Sequence, residues 1–184
     1  MCALNLKSVT HTRRQVLSWA FYDWGNSAFA TVVLSGFFPI FFKQYWSAGV
    51  DASESTFRLG VANSIASLIV VVMAPILGAI ADRVGGRKRF LAAFAALGAL
   101  CTGSLFLVAQ GQWWIASIAF VIGVLGFAGA NVFYDALLIA VSGEENRERV
   151  SALGFSLGYL GGGVLFAFNV IMTLNPGWFG FADA

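Results

Sequence analysis

The chain has 184 residues, of which 59% are apolar and 11% charged, with a mean hydropathy of +0.79 and a net charge of +2. This balance excludes an ordinary water-soluble globule, whose apolar share is nearer half, and a nucleic-acid binder, which needs a basic stripe. One histidine, His11, and two distant cysteines, Cys2 and Cys101, form no metal-ligand set, disulfide framework or Ser/His/Asp arrangement, so neither a cofactor nor enzymatic chemistry is expected.

A helix crosses a hydrocarbon core with about 20 predominantly apolar residues. Five runs meet that length, at 16–42, 59–81, 90–109, 113–141 and 150–174, and none alternates with the period of two that a membrane strand requires. The expected fold is all-α, a polytopic transmembrane helix bundle. Residues 1–15 read as a polar leader and residues 175–184, opening on Asn175-Pro176-Gly177, as the start of a loop.

The first run follows Lys7, Arg13 and Arg14 and contains Ala28-Phe29-Ala30, which resembles a signal-peptide cleavage site. Asp23 and Asn26 interrupt the apolar stretch such a peptide needs, and hydrophobicity continues to Phe42, so a retained membrane helix is expected. Asp23, Asn26 and Ser27 are spaced to share one helix face. The connection 43–58 follows, with Tyr45 and Trp46 at a boundary where aromatic rings suit the headgroup layer.

The second run ends in Gly78-Ala79-Ile80-Ala81-Asp82-Arg83-Val84-Gly85-Gly86-Arg87-Lys88-Arg89. Gly78, four before Asp82, permits close approach by a neighbouring helix. The paired glycines permit a sharp reversal, and the cations suit lipid phosphates or a partner carboxylate. The plainer alternative is a basic turn that only sets topology.

After the run at 90–109, which carries no charge beyond its start, Trp113 and Trp114 mark another boundary. The fourth run places Asn131 and Asp135 four apart on one face. An aspartate at mid-helix costs about 2.5 to 3.5 kcal/mol to insert, so such groups usually face protein or a water-filled cavity. If the first run rises where the fourth descends, both carboxylates lie roughly 10 Å inside the same boundary. Each follows the same pair, Phe21-Tyr22 and Phe133-Tyr134, which adds Tyr22 and Tyr134 to the candidate pathway. The alternatives are interfacial pairing of Asp23 with Arg13 or Arg14 and of Asp135 with Arg147 or Arg149. A carboxylate withdrawn from water can exchange a proton as a solute comes and goes, so proton coupling is physically available.

The fifth run carries Gly154, Gly158, Gly161, Gly162 and Gly163, a ladder that permits either a tight static seam or one helix sliding on another. Basic residues then orient the whole: an inside N-terminus puts nine of the 11 cations inside and leaves only Lys43 and Arg58 outside.

The loop from Gly78 to Arg89 resembles the signature of the major facilitator superfamily, Gly-x-x-x-Asp-Arg-x-Gly-Arg-Lys, with Gly86 as one extra residue. The resemblance implies that Gly78, Asp82, Arg83, Gly85 and Arg87 form a conformational switch loop that latches one half of a transporter against the other. It also implies that helices 1 and 4 line a central cavity and that these five helices belong to a six-helix half. Tyr159 stands where the antiporter signature has proline, and no Arg or Lys falls between Arg89 and Arg147, unlike many drug and sugar carriers. The segments 18–29, 78–89, 131–135 and 154–162 together look like the vacuole-effluxer family, whose fungal members export neutral amino acids. On this resemblance the chain is expected to be part of a bacterial inner-membrane secondary transporter. Its partners would be a small solute, membrane lipid and the missing C-terminal half. A non-transporting scaffold or an oligomeric pore of five-helix units is the competing expectation.

Overall fold

The structure is a computed structural model that describes residues 13–83 and 85–181. Five helical spans account for most of it, each long and apolar enough to cross a membrane. They are α1 (Arg13–Trp46), α2 (Ala52–Arg83), α3 (Arg87–Ser104), α4 (Trp113–Val141) and α5 (Arg147–Leu174). The all-α bundle expected from the apolar runs is the observed architecture.

Helices α1, α2 and α5 overrun their apolar runs, α4 coincides with its run, and α3 starts early but ends at Ser104, because hydrophobicity marks the part meant for lipid while capping chemistry marks where a helix begins. The connection expected at 43–58 shrinks to a turn. Asp51 caps α2 through Oδ1, which accepts from Ser53 N at 2.8 Å, so the polar residues from Ala52 to Arg58 are helical. At the other end of α2, Gly86 has φ +105° and starts α3, with Arg89 N donating to Gly86 O at 2.8 Å. Only glycine takes that conformation cheaply. The residue that looked like an insertion is therefore the one that makes the turn.

Inside α1 the α-helical pattern gives way to π-helical turns over Phe29–Phe37 and again over Phe42–Trp46, on either side of Pro39. Such widening is one way a membrane helix absorbs a residue without an N–H. Pro75 sits within α2 without ending it.

Helix α4 packs against α3 and α2, and α1 packs against α5 and, more narrowly, α4. Small residues set both long seams. A Cβ added at Gly126 would lie 2.6 Å from Gly98 N and 2.9 Å from Gly98 Cα, and one at Gly129 would strike the ring of Phe94. On the other seam, Cβ atoms at Gly154, Gly158, Gly161 and Gly162 would run into Trp19, Asp23, Trp24 and Thr31 respectively. Thr31 Oγ1 also donates across this seam to Gly162 O at 3.2 Å. Since lipid is as apolar as leucine, such close backbone approach is a main source of helix association in a membrane.

The end of the bundle away from the α2–α3 turn closes over an apolar cluster of Phe38, Phe42, Trp46, Val108 and Phe120. Trp46 is buried there, and its Nε1 donates to Val108 O at 3.3 Å. The headgroup position expected for Trp46 is thus corrected, because its ring packs, tilted, against Phe38 and Phe41. Tyr45 and Trp114 remain exposed. Arg58 pairs with Glu54 at 2.8 Å and lies 4.2 Å over the Trp113 ring.

Candidate functional site

The stretch of α1 that carries Asp23 turns three polar groups toward α4 and α5. Asn26 Nδ2 donates to Asn131 Oδ1 at 2.7 Å, so an amide from each helix bridges α1 and α4 inside the span. Below this bridge Trp19 stacks flat on Tyr134, ring centroids 4.3 Å apart, and its Nε1 donates to Tyr134 O at 3.0 Å. Tyr22 stacks on the same ring at 5.3 Å and its hydroxyl points to Asn26 Oδ1 at 3.4 Å. The Phe-Tyr-Asp repeat thus meets itself across the helix pair. Hydrogen bonds between membrane helices are each worth about 0.6 kcal/mol, so the amide bridge orients more than it stabilises.

Both carboxylates open onto one cleft of 310 Å³, lined by Asp23, Asn26, Ser27, Phe127, Asn131, Tyr134, Asp135, Phe155 and Tyr159. Asp23 is half-buried and accepts from Ser27 Oγ at 3.4 Å, whereas Asp135 is exposed. The ion pairs considered for them, with Arg13 or Arg14 and with Arg147 or Arg149, do not form. Arg58 with Glu54 is the sole ion pair among the described residues. Of the six pathway candidates, five line this cleft. Tyr22 stands behind it and lines instead an apolar groove of 750 Å³ between α1, α3, α4 and α5.

The glycine ladder is part of the site as well as of the fold. Gly158 is the residue that Asp23 and Ser27 rest against, and Gly154 lies under Trp19 and the Tyr134 hydroxyl. Any larger residue would push these side chains into the cleft. Three cleft residues, Phe127, Phe155 and Tyr159, are not among the pathway candidates read from the sequence. Two of them carried a signal, since Phe155 and Tyr159 each follow a ladder glycine and therefore share a face.

The loop candidates separate. Arg87 is partly buried, and its guanidinium donates from Nε to Ala81 O at 2.5 Å and from Nη1 to Ala136 O at 3.2 Å. It therefore ties the last turn of α2 to the residue after Asp135. Asp82, Arg83 and Gly85 are exposed along an open pocket shared with Lys88 and Arg89. A Cβ at Gly78 would meet nothing within 4 Å, so no described helix uses the close approach that Gly78 permits.

A bundle of five membrane-crossing helices with paired intramembrane carboxylates and amides facing a common cleft has the build of a solute carrier, not of an enzyme. A family model described as Major Facilitator Superfamily matches residues 4–166, and the chain belongs to that superfamily. It is 39% identical over 162 residues to a protein of Bacillus subtilis (strain 168) named "Uncharacterized MFS-type transporter YxiO", covering 88% of this chain and 38% of that one. It is 31% identical over 160 residues to an "Uncharacterized protein" of Aquifex aeolicus (strain VF5), covering 87% of this chain and 39% of that one. The chain thus spans about two fifths of the length of these curated relatives. No solved structure matches it.

Proposed function

We propose that the chain forms one wall of a secondary transporter that moves a small solute across a bacterial inner membrane by alternating access, with its N-terminus cytoplasmic. The observation that carries this reading is the single cleft onto which Asp23 and Asp135 open from α1 and α4, with Asn26 and Asn131 bonded across its back. Helices 1 and 4 of superfamily halves are the ones that face the central cavity. Tyr22, Asn26, Asn131 and Tyr134 would shape the pathway, and Asp23 and Asp135 would meet the solute or a coupling proton.

The opposite wall comes from further helices. The groove bordered by Phe29, Val33, Ala95, Ala99 and Leu165 is apolar, as a surface that receives a further helix would be. The loop residues Gly78, Asp82, Arg83, Gly85 and Arg87 would then latch the two halves, and open space around Gly78 suits a contact with that second half. The vacuole-effluxer-like segments resemble those of fungal exporters of neutral amino acids, but among the described residues the cleft lining offers no cation to meet an amino acid's carboxylate.

The test is reconstituted counterflow with the chain alone and with the chain joined to the remaining length of a full carrier. Activity is expected only in the second. Uptake by the chain alone would overturn the shared-wall reading in favour of a pore of five-helix units. Proton coupling is tested in the same vesicles: Asp23→Asn or Asp135→Asn should abolish the response to an imposed pH gradient, and a full response in both variants would remove it.

A further inference from the structure

The border of the 310 Å³ cleft carries charge of one sign. Two carboxylates come from Asp23 and Asp135 and neutral polar groups from Asn26, Asn131 and Ser27, and no Lys, Arg or His among the described residues lines it. Neither carboxylate takes part in an ion pair among the described residues. Ionisable groups at membrane depth are normally paired with something of opposite charge, and here that partner is absent from the wall itself.

The aromatic residues of the cleft add a second, independent indication. Phe155 and Tyr159 stand on one face of α5 beside the carboxylates and are 63% and 79% exposed. Tyr134 lines the same cleft, is 7% exposed, and has a buried hydroxyl with no hydrogen-bond partner. Aromatic faces attract cations and accept apolar groups equally well. A cleft of this volume is at the small end of the range for small-molecule sites.

We infer that the cleft takes an organic cation: an ammonium head between Asp23 and Asp135 on an apolar or aromatic body that lies against Phe155 and Tyr159. The inference rests on the transporter reading and names its substrate class. An amino acid brings the same ammonium head, but its carboxylate meets no cation among the lining residues. An organic anion meets like charge. The polar groups also explain why the site is not an acidic patch alone: Asn26 is held by Asn131 and Asp23 by Ser27 and Gly158, so the carboxylate on α1 is oriented before any ligand arrives.

Three probes that share one ring and differ in charge decide the matter: 2-phenylethylamine, L-phenylalanine and 3-phenylpropionate. Their equilibrium binding is measured on the 184-residue chain in lipid nanodiscs. The amine is expected to bind at least about tenfold more tightly than the propionate, with phenylalanine between them. Asp23→Asn and Asp135→Asn should each weaken the amine about tenfold, and Asp135→Glu should hold it within about threefold. Tyr159→Leu, which removes a ring that the probes' shared phenyl group would lie against, should also weaken the amine. Equal affinity for the three probes, tightest binding of the propionate, no binding of the amine to the unmodified chain, or a preference that survives both Asn substitutions overturns the inference.

Flux is read separately, by counterflow of the same probes through the full carrier. Asp-dependent binding of the amine without flux removes the transporter reading and leaves the substrate class standing. Faster flux of the propionate or of phenylalanine than of the amine overturns the substrate class and leaves the transporter reading intact.

Discussion

Both long seams of the bundle rest on glycine, yet what the glycines touch differs. Between α3 and α4, Gly126 meets the backbone of Gly98 and Gly129 meets the Phe94 ring, so that seam has only packing to answer to. Between α1 and α5, Gly154, Gly158, Gly161 and Gly162 meet Trp19, Asp23, Trp24 and Thr31, of which Asp23 lines the cleft and Trp19 flanks it by stacking on Tyr134. The same device builds a scaffold on one side and holds the site on the other. A small-residue stripe therefore says that helices come close, and only its opposite face says why.

Substitutions can pull the two seams apart. The largest effect is expected from Gly126→Ala, because its methyl would press on the Gly98 backbone, which has no side chain to move aside. A cost of about 1–3 kcal/mol is expected, read as a lower thermal unfolding midpoint in nanodiscs, with amine affinity unchanged in the protein that remains folded. Gly158→Ala presses instead on Asp23 Oδ2 and Ser27 Oγ, ends of side chains that can rotate. It should cost under about 1 kcal/mol in stability while weakening the amine several-fold. A large drop in midpoint with unchanged affinity would reduce the α1–α5 seam to a second scaffold. The smallest effect belongs to the amide bridge: a double-mutant cycle of Asn26→Ala and Asn131→Ala should give a coupling of about 0.6 kcal/mol. A coupling of zero would mean that the 2.7 Å contact orients nothing.

The spans, the helical class and the two carboxylates could be read in the sequence because each rests on one-dimensional chemistry: apolar length for the spans, and a rare charge within such a length for the site. The shared depth of Asp23 and Asp135 agrees with a pairing of α1 with α4, but the pairing itself is what the superfamily resemblance implies. Helix starts were harder, since the first turns of α2 are as polar as a loop and only the Asp51 cap distinguishes them. Trp46 looked interfacial because composition does not tell a ring at the boundary from one turned inward onto Phe38. The glycines at 123, 126 and 129 passed unnoticed inside a uniformly apolar run, whereas the α5 ladder is dense enough to catch the eye. Gly86 was treated as a surplus residue, because a motif is a string and a left-handed φ is not visible in a string.

One planar guanidinium, that of Arg87, closes two contacts at once, to the final turn of α2 and to the backbone one step beyond Asp135. Both contacts depend on one side chain, so loss of that guanidinium would remove them together. A displacement of the loop that carries Arg87 would therefore be felt at the α4 backbone beside Asp135, a mechanical link between the surface turn and the rim of the cleft.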